Sequence, residues 1–219
     1  NMISDPLTLE IAETQEAAIE FGYEANGFRA SVYAFNGKAD KNEEDNDVVD
    51  DYGISIGYTM KAGSVNLNLG IDYLNNMAET DSLQGAISQV TIVEEHTAGM
   101  ALHAIITMDK LNVILEYIAA SDNFNAADLQ FNGAEAEPSA SNIEVAYTID
   151  DYTIAVAHQS SSDLDGMLPE SRNMISVSTT IADDVGFAVE YTDSDDYETA
   201  DGGSGESGGM LAAQLAVEF

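Results

Sequence analysis

Apolar and polar residues alternate along most of this chain, and a period of two is the mark of a strand with unlike faces. Over 65–73, Val65, Leu67, Leu69, Ile71 and Tyr73 fall on one side, with Asn66, Asn68, Gly70 and Asp72 on the other. Segment 53–60 sets Ile54, Ile56, Tyr58 and Met60 against Gly53, Ser55, Gly57 and Thr59. Ile143, Val145, Tyr147 and Ile149 share a side, and so do Leu211, Ala213, Leu215, Val217 and Phe219. The pattern predicts twelve strands, near 7–13, 17–24, 28–35, 52–60, 65–73, 98–108, 112–120, 142–149, 152–159, 173–181, 185–191 and 210–219.

The connections carry as much information as the strands. Short ones fall at Ala25–Gly27, Lys61–Ser64, Asp109–Leu111, Asp150–Asp151 and Ala182–Asp184, between long ones near 36–51, 74–97, 121–141, 160–172 and 192–209. Strict alternation of tight turns and long loops is the layout of an outer-membrane barrel. Only the connection at 14–16 is short where a long one is due, and it reads as a clipped external loop. The expected fold is therefore all-β: an antiparallel transmembrane β-barrel of the bacterial outer membrane. It occupies 1–219 as a single domain, with the short turns and Phe219 in the periplasm.

A soluble sandwich or jelly roll also alternates. Three features weigh against it. The side opposite the Leu, Ile and Val face holds Gly, Ala, Ser, Thr, Asn and Glu, too small and polar for a packed core. Fourteen of the seventeen aromatics lie in predicted strands, mostly at two levels, which is a girdle pattern. The chain also ends in Phe219 on an alternating strand, the form of signal that barrel-assembly machinery reads.

Composition narrows the function. Six Lys and Arg against 40 Asp and Glu leave a net charge of −34, which repels phosphate backbones and argues against nucleic acid as a partner. The absence of cysteine removes disulfides, thiolate metal sites and cysteine nucleophiles. No apolar run reaches the ~18 residues of a membrane helix, and the longest, 98–108, carries His103. No GxSxG, HExxH or P-loop motif occurs, so the expectation is not an enzyme. The chain opens NMISDPLTLE with neither initiator Met nor signal-peptide pattern, so the expectation is either a removed leader or an absent larger N-terminal piece.

On the small, polar side lie Glu20, Glu24, Asp72, Glu116, Glu144, Glu190 and Glu218, with Arg29 as the one base and His103 among them. In a barrel these residues line the pore and set a field that favours cations. The long loops are the other conspicuous chemistry. Residues 36–51 hold seven acids and 192–209 hold six. Such loops are candidates for weak Ca²⁺ binding and for cation bridging to lipopolysaccharide, beside the plainer reading of solvated, repelling chain. They lack EF-hand spacing. His96, His103 and His158 are too dispersed for a metal site, Glu94-Glu95-His96 being the nearest approach, and no cofactor is expected.

Longer stretches add a resemblance. NMISDPLTLEIAET at the start, GYEANGFRASVYAFNGKADK at 22–41, DDYGISIGYTM at 50–60, GIDYLNNMAETDSLQGAI at 70–87 and ILEYIAASDNFNAADL at 114–129 resemble the LbtU-type outer-membrane siderophore porin family. The resemblance implies that the chain is the C-terminal part of a longer barrel. It also implies uptake of a small solute, a ferric siderophore, without a plug domain. The other class of function to weigh is a structural or surface-interaction barrel.

Overall fold

The computed structural model describes residues 1–39, 49–87, 93–164 and 166–217. Helix α1 (Leu7–Ala12) precedes four strands: β1 (Ala18–Ala25), β2 (Phe28–Phe35), β3 (Asp51–Ala62) and β4 (Val65–Leu74). Helix α2 (Asp81–Ile87) leads to β5 (Gly99–Met108), β6 (Leu111–Ala120) and a small hairpin of β7 (Gln130–Phe131) and β8 (Ala134–Glu135). Then follow β9 (Ser139–Ile149), β10 (Tyr152–Ser162), β11 (Ser171–Ala182), β12 (Val185–Asp195) and β13 (Ser207–Val217). All but β7 and β8 join one antiparallel sheet of eleven strands, in the order β1-β2-β3-β4-β5-β6-β9-β10-β11-β12-β13. The chain is thus all-β, as its alternation predicts. Among the described residues β1 and β13 each pair on one side only, so the sheet is open.

The five tight turns fall where expected, and their backbone explains their residues. Asn26, Gly27, Gly63, Asp109, Asp150 and Asp184 all have positive φ, as hairpin turns that follow the strand twist require. Asn, Asp and Gly tolerate that region best. Gly27 is doubly constrained: at φ 81° a Cβ there would lie 2.1 Å from the Thr59 carbonyl oxygen.

One predicted strand is wrong. Residues 7–12 form α1, which buries Leu7, Thr8 and Ile11 while Leu9 stays 44% exposed. Alternation of Leu7, Leu9 and Ile11 mimics a strand, but positions 7, 8 and 11 also share one helix face. Pro6, with φ −71°, sits at the helix boundary. The short connection at 14–16 is therefore no clipped loop; it joins α1 to β1, and the alternation of short and long has no exception. The long connections are also more ordered than expected. The 74–97 stretch contains a 3₁₀ turn (Met77–Glu79) and α2, and 121–141 contains β7 and β8. Strands β9 to β13 run two to four residues past their predicted loop ends. There the bare side turns to Ser141, Asn173, Asp193 and Gly209, so the ladder continues after its apolar signature has stopped.

The two faces are buried in the reverse of the soluble order. In β10, Tyr152, Ile154 and Val156 are exposed while Ala155, Ala157, Gln159 and Ser161 are buried. The bare face likewise carries Ile54, Ile56, Leu69, Ile71, Leu102, Tyr117, Val145, Ile175 and Leu211, all at least 37% exposed. The polar face is not uncovered, which corrects the expectation that it is unfit for a packed core. A core does sit on it, supplied mainly by α1 and the connections: Leu7, Ile11, Met77, Leu83, Phe124 and Leu164 meet Ile118, Ala120 and Ala140 of the sheet.

The register staggers steadily. A single cross-strand row runs Tyr23, Ala30, Ile56, Ile71, Leu102, Tyr117, Ser141, Ser160, Ser171, Asp195 and Ser207. It starts near the turn end of β1 and finishes at the first residue of β13. Such drift tilts strands against the sheet's long axis, as rolling a sheet requires.

Candidate functional site

The polar face carries one cross-strand row of large side chains interrupted by two glycines. Glu24 pairs with Arg29, and the row continues through Gly57, Gly70, His103, Glu116, Asn142, Gln159 and Arg172. Asn142 donates to Glu116 at 2.8 Å, and Gln159 is 1% exposed. Arg172 shares this face, so Arg29 is not the one base there. The predicted loop 160–172 hid it, although counting back from Ser176 by twos through Met174 reaches it.

Segment 1–12 occupies much of this face by bonding its carboxylates. Glu190, 0% exposed, accepts from the Ile3 N–H at 2.6 Å and the Ser4 hydroxyl at 2.6 Å. Thr8 donates to Glu116 at 3.1 Å, and the Leu7 N–H donates to Gln159 Oε1 at 3.3 Å. Arg172 donates to the Asp5 carbonyl at 3.2 Å and to Glu10 at 3.1 Å. The Asn1 side chain reaches Glu144, which is 5% exposed. A buried carboxylate is tolerable only with such donors. The predicted residues therefore divide. Glu116, Glu144 and Glu190 are drawn together by the N-terminal segment, His103 lies beside Glu116 across the β5–β6 ladder, and Asp72 is half-buried. Glu20, Glu24 and Arg29 stay exposed at the β1–β2 edge. Phe219 and Glu218 lie outside the described residues.

Glycine makes room for the large inward side chains. A Cβ on Gly53 would lie 2.1 Å from Tyr33, one on Gly57 2.2 Å from Arg29, and one on Gly70 2.0 Å from His103. Tyr33 and Arg29 thus lie flat over glycines of the next strand, Arg29 reaching Asn68 at 3.4 Å. Gly53→Val is expected to destabilise the fold by ~1–3 kcal/mol through overpacking. The penalty should shrink in a Tyr33→Ala background, read from urea midpoints; equal penalties in both backgrounds would remove the slot.

Several acids that read as loop charge serve as acceptors for loop backbone. Glu79, 0% exposed, takes the Lys38 N–H at 2.8 and 2.9 Å, Asp128 takes the Glu94 N–H at 3.0 Å, and Asp163 takes the Glu137 N–H at 2.9 Å. Asp196 accepts from the Ser204 hydroxyl and N–H and from the Tyr197 N–H, and these bonds, the hydroxyl foremost, hold its carboxyl below the usual range. Among the described residues no group of three or more His, Asp or Glu is placed to hold a metal ion. Residues 40–48 of the first acidic loop lie outside those described. His158, on the bare face, bonds Asn173 at 2.9 Å.

One pocket opens beside α1, toward the loop ends of β2, β4, β5 and β6. It encloses about 340 Å³ between Ala12 of α1, the linker residues Thr14 and Glu16, and the side chains of Tyr33, Phe35, Asp72, Leu74, Met77 and Ile118.

Together these features define an all-β protein whose large antiparallel sheet bears a bare apolar face and a polar face partly filled by its own N-terminal segment. The chain is similar, at 26% identity over 87% of its length, to a UPF0422 protein of Coxiella burnetii (strain RSA 493 / Nine Mile phase I), of which it covers 43%. Over its whole length it is 25% identical to UPF0422 protein lpl2888 of Legionella pneumophila (strain Lens) and to lpp3030 of strain Paris, covering 47% of each. It thus spans about half the length of the curated relatives it matches. No family model matches the chain.

Proposed function

We propose that this sheet is part of the wall of a bacterial outer-membrane β-barrel through which a small solute crosses. The observation that carries the reading is the inverted burial: between the edge strands β1 and β13, the sheet presents mainly Leu, Ile, Val and Tyr to the outside and mainly small or polar residues to the covered side. In water so wide an apolar face is a liability, whereas against hydrocarbon it is stabilising. Strands β3 to β6 and β9 to β13 are 10 to 12 residues long, enough to cross a bilayer when tilted by ~45°. The free edges of β1 and β13 would be costly in lipid. In a protein as long as the relatives, strands from outside this chain would pair with them and close the barrel.

The solute class follows from the resemblance to LbtU-type siderophore porins, which points to a siderophore. The same reading gives lipopolysaccharide and the assembly machinery as surroundings, and Phe219 as the assembly signal. The face toward the lumen carries Glu20, Glu24, Asp72, Glu116, Glu144 and Glu190 against Arg29 and Arg172, so water-filled parts of it should be negative. Full-length protein in planar bilayers under a KCl gradient is expected to pass K⁺ in preference to Cl⁻, more strongly at low ionic strength. An anion-selective reversal potential would overturn the cation claim. A second reading, a structural barrel, is favoured by the core that α1 and the loops build over β6 and β9. A folded, bilayer-inserted protein with no conductance would select it.

A further inference from the structure

We propose that the pocket beside α1 is a binding site for an organic monocation, an ammonium group carried on an apolar or aromatic body. The inference rests on the transport reading only for its role; as a binding site it stands on its own geometry. The pocket's volume, about 340 Å³, is at the lower end of small-molecule sites.

Its chemistry has two parts. Tyr33 and Phe35, two residues apart on the polar face of β2, stack with ring centroids 6.3 Å apart and planes 20° from parallel. An aromatic surface of this kind attracts a cation through the negative face of its rings. Asp72 lines the same space from β4 and supplies the charge partner. The remaining walls, Leu74, Met77 and Ile118, offer apolar contact for the body of the ligand.

Neighbouring charge favours the same sign. Glu20 is directly opposite Tyr33 in the β1–β2 register. Glu16, which also lines the pocket, is ion-paired with Lys38, which does not line it. Arg29, on the same strand as Tyr33, is turned toward Asn68 and the hairpin end. Among the described residues no Lys or Arg lines the cavity. An anion would therefore meet Asp72 with no lining cation to answer it, while an ammonium group would meet a carboxylate beside two aromatic side chains. Gly53 is what allows this, because any side chain there would push Tyr33 out of place.

The test is calorimetric titration of full-length protein in detergent with phenyltrimethylammonium, benzyl alcohol and benzenesulfonate. The cation is expected to bind about tenfold more tightly than the alcohol, with benzenesulfonate weakest. Asp72→Asn should remove most of that preference. Tyr33→Phe should keep it and Tyr33→Leu should weaken it, with circular dichroism confirming that each variant is folded. Undetectable cation binding, benzenesulfonate binding as tightly as the cation, or a preference unchanged in Asp72→Asn would overturn the proposal. Conductance without cation binding would sink this site and leave the transport reading standing. Cation binding without conductance would do the reverse.

Discussion

If the bare face meets lipid, arginine in place of Leu69 is expected to cost the folded protein ~2–4 kcal/mol, because Leu69 sits mid-strand on that face and the charge would enter the hydrocarbon midplane. Its row runs through Tyr58, Ala104, Leu115 and Ile143, with apolar rows on either side. Asp193→Arg, on the same face but in the polar rows at the loop end, should change stability by ~1 kcal/mol or less. The comparison discriminates sharply. On a water-exposed surface both substitutions would fall within ~0.5 kcal/mol of zero. Urea titrations of folding into lipid vesicles would measure both, and an equally mild effect at the two positions would remove the membrane reading.

An effect of similar size is expected at α1. Leu7 is 0% exposed in the core over the polar face, so Leu7→Ala should cost ~2–5 kcal/mol by removing buried methyl groups and leaving a cavity. Leu9→Ala, on the exposed side of the same helix, should be close to neutral. The variant should also loosen segment 1–12 from Glu116, Gln159 and Glu190 and raise single-channel conductance if that segment narrows the lumen. Urea midpoints for Leu7→Ala and Leu9→Ala that do not differ would mean that 7–12 is not packed as a helix. A destabilised Leu7→Ala protein with unchanged conductance would leave the segment a structural filler.

Much of the fold is legible in the residues because the strands are amphipathic and their turns are chemically marked. Ile54, Ile56 and Tyr58 against Gly53, Ser55 and Gly57 admit one register, since a slip of one residue would exchange the faces. Asn-Gly at 26–27 and the aspartates at 109, 150 and 184 mark the turns through their tolerance of positive φ. What misled was local ambiguity. Leu7, Leu9 and Ile11 satisfy a period of two, and only burial on the sheet shows that the helix wins. Arg172 was missed because the bare face beside it is Asn173 and Ser171, which carry no apolar signal.

The site divides along the same line. That Asp72, Glu116, Glu144 and Glu190 share a face follows from counting residues, because parity along a strand is a local property. That Glu190 is closed off by Ile3 and Ser4, that Gly53 exists to seat Tyr33, and that Tyr33, Phe35 and Asp72 border one pocket depend on distances between strands and on a segment more than 180 residues away from Glu190. By itself the sequence determined the strand period, the turns, the identity of the two faces and the sign of the charge, since each is set within a few residues. Only the tertiary structure decided which charges are covered and which pocket remains. Those outcomes depend on where α1 and the loops pack, and non-local packing leaves no periodic trace in the chain.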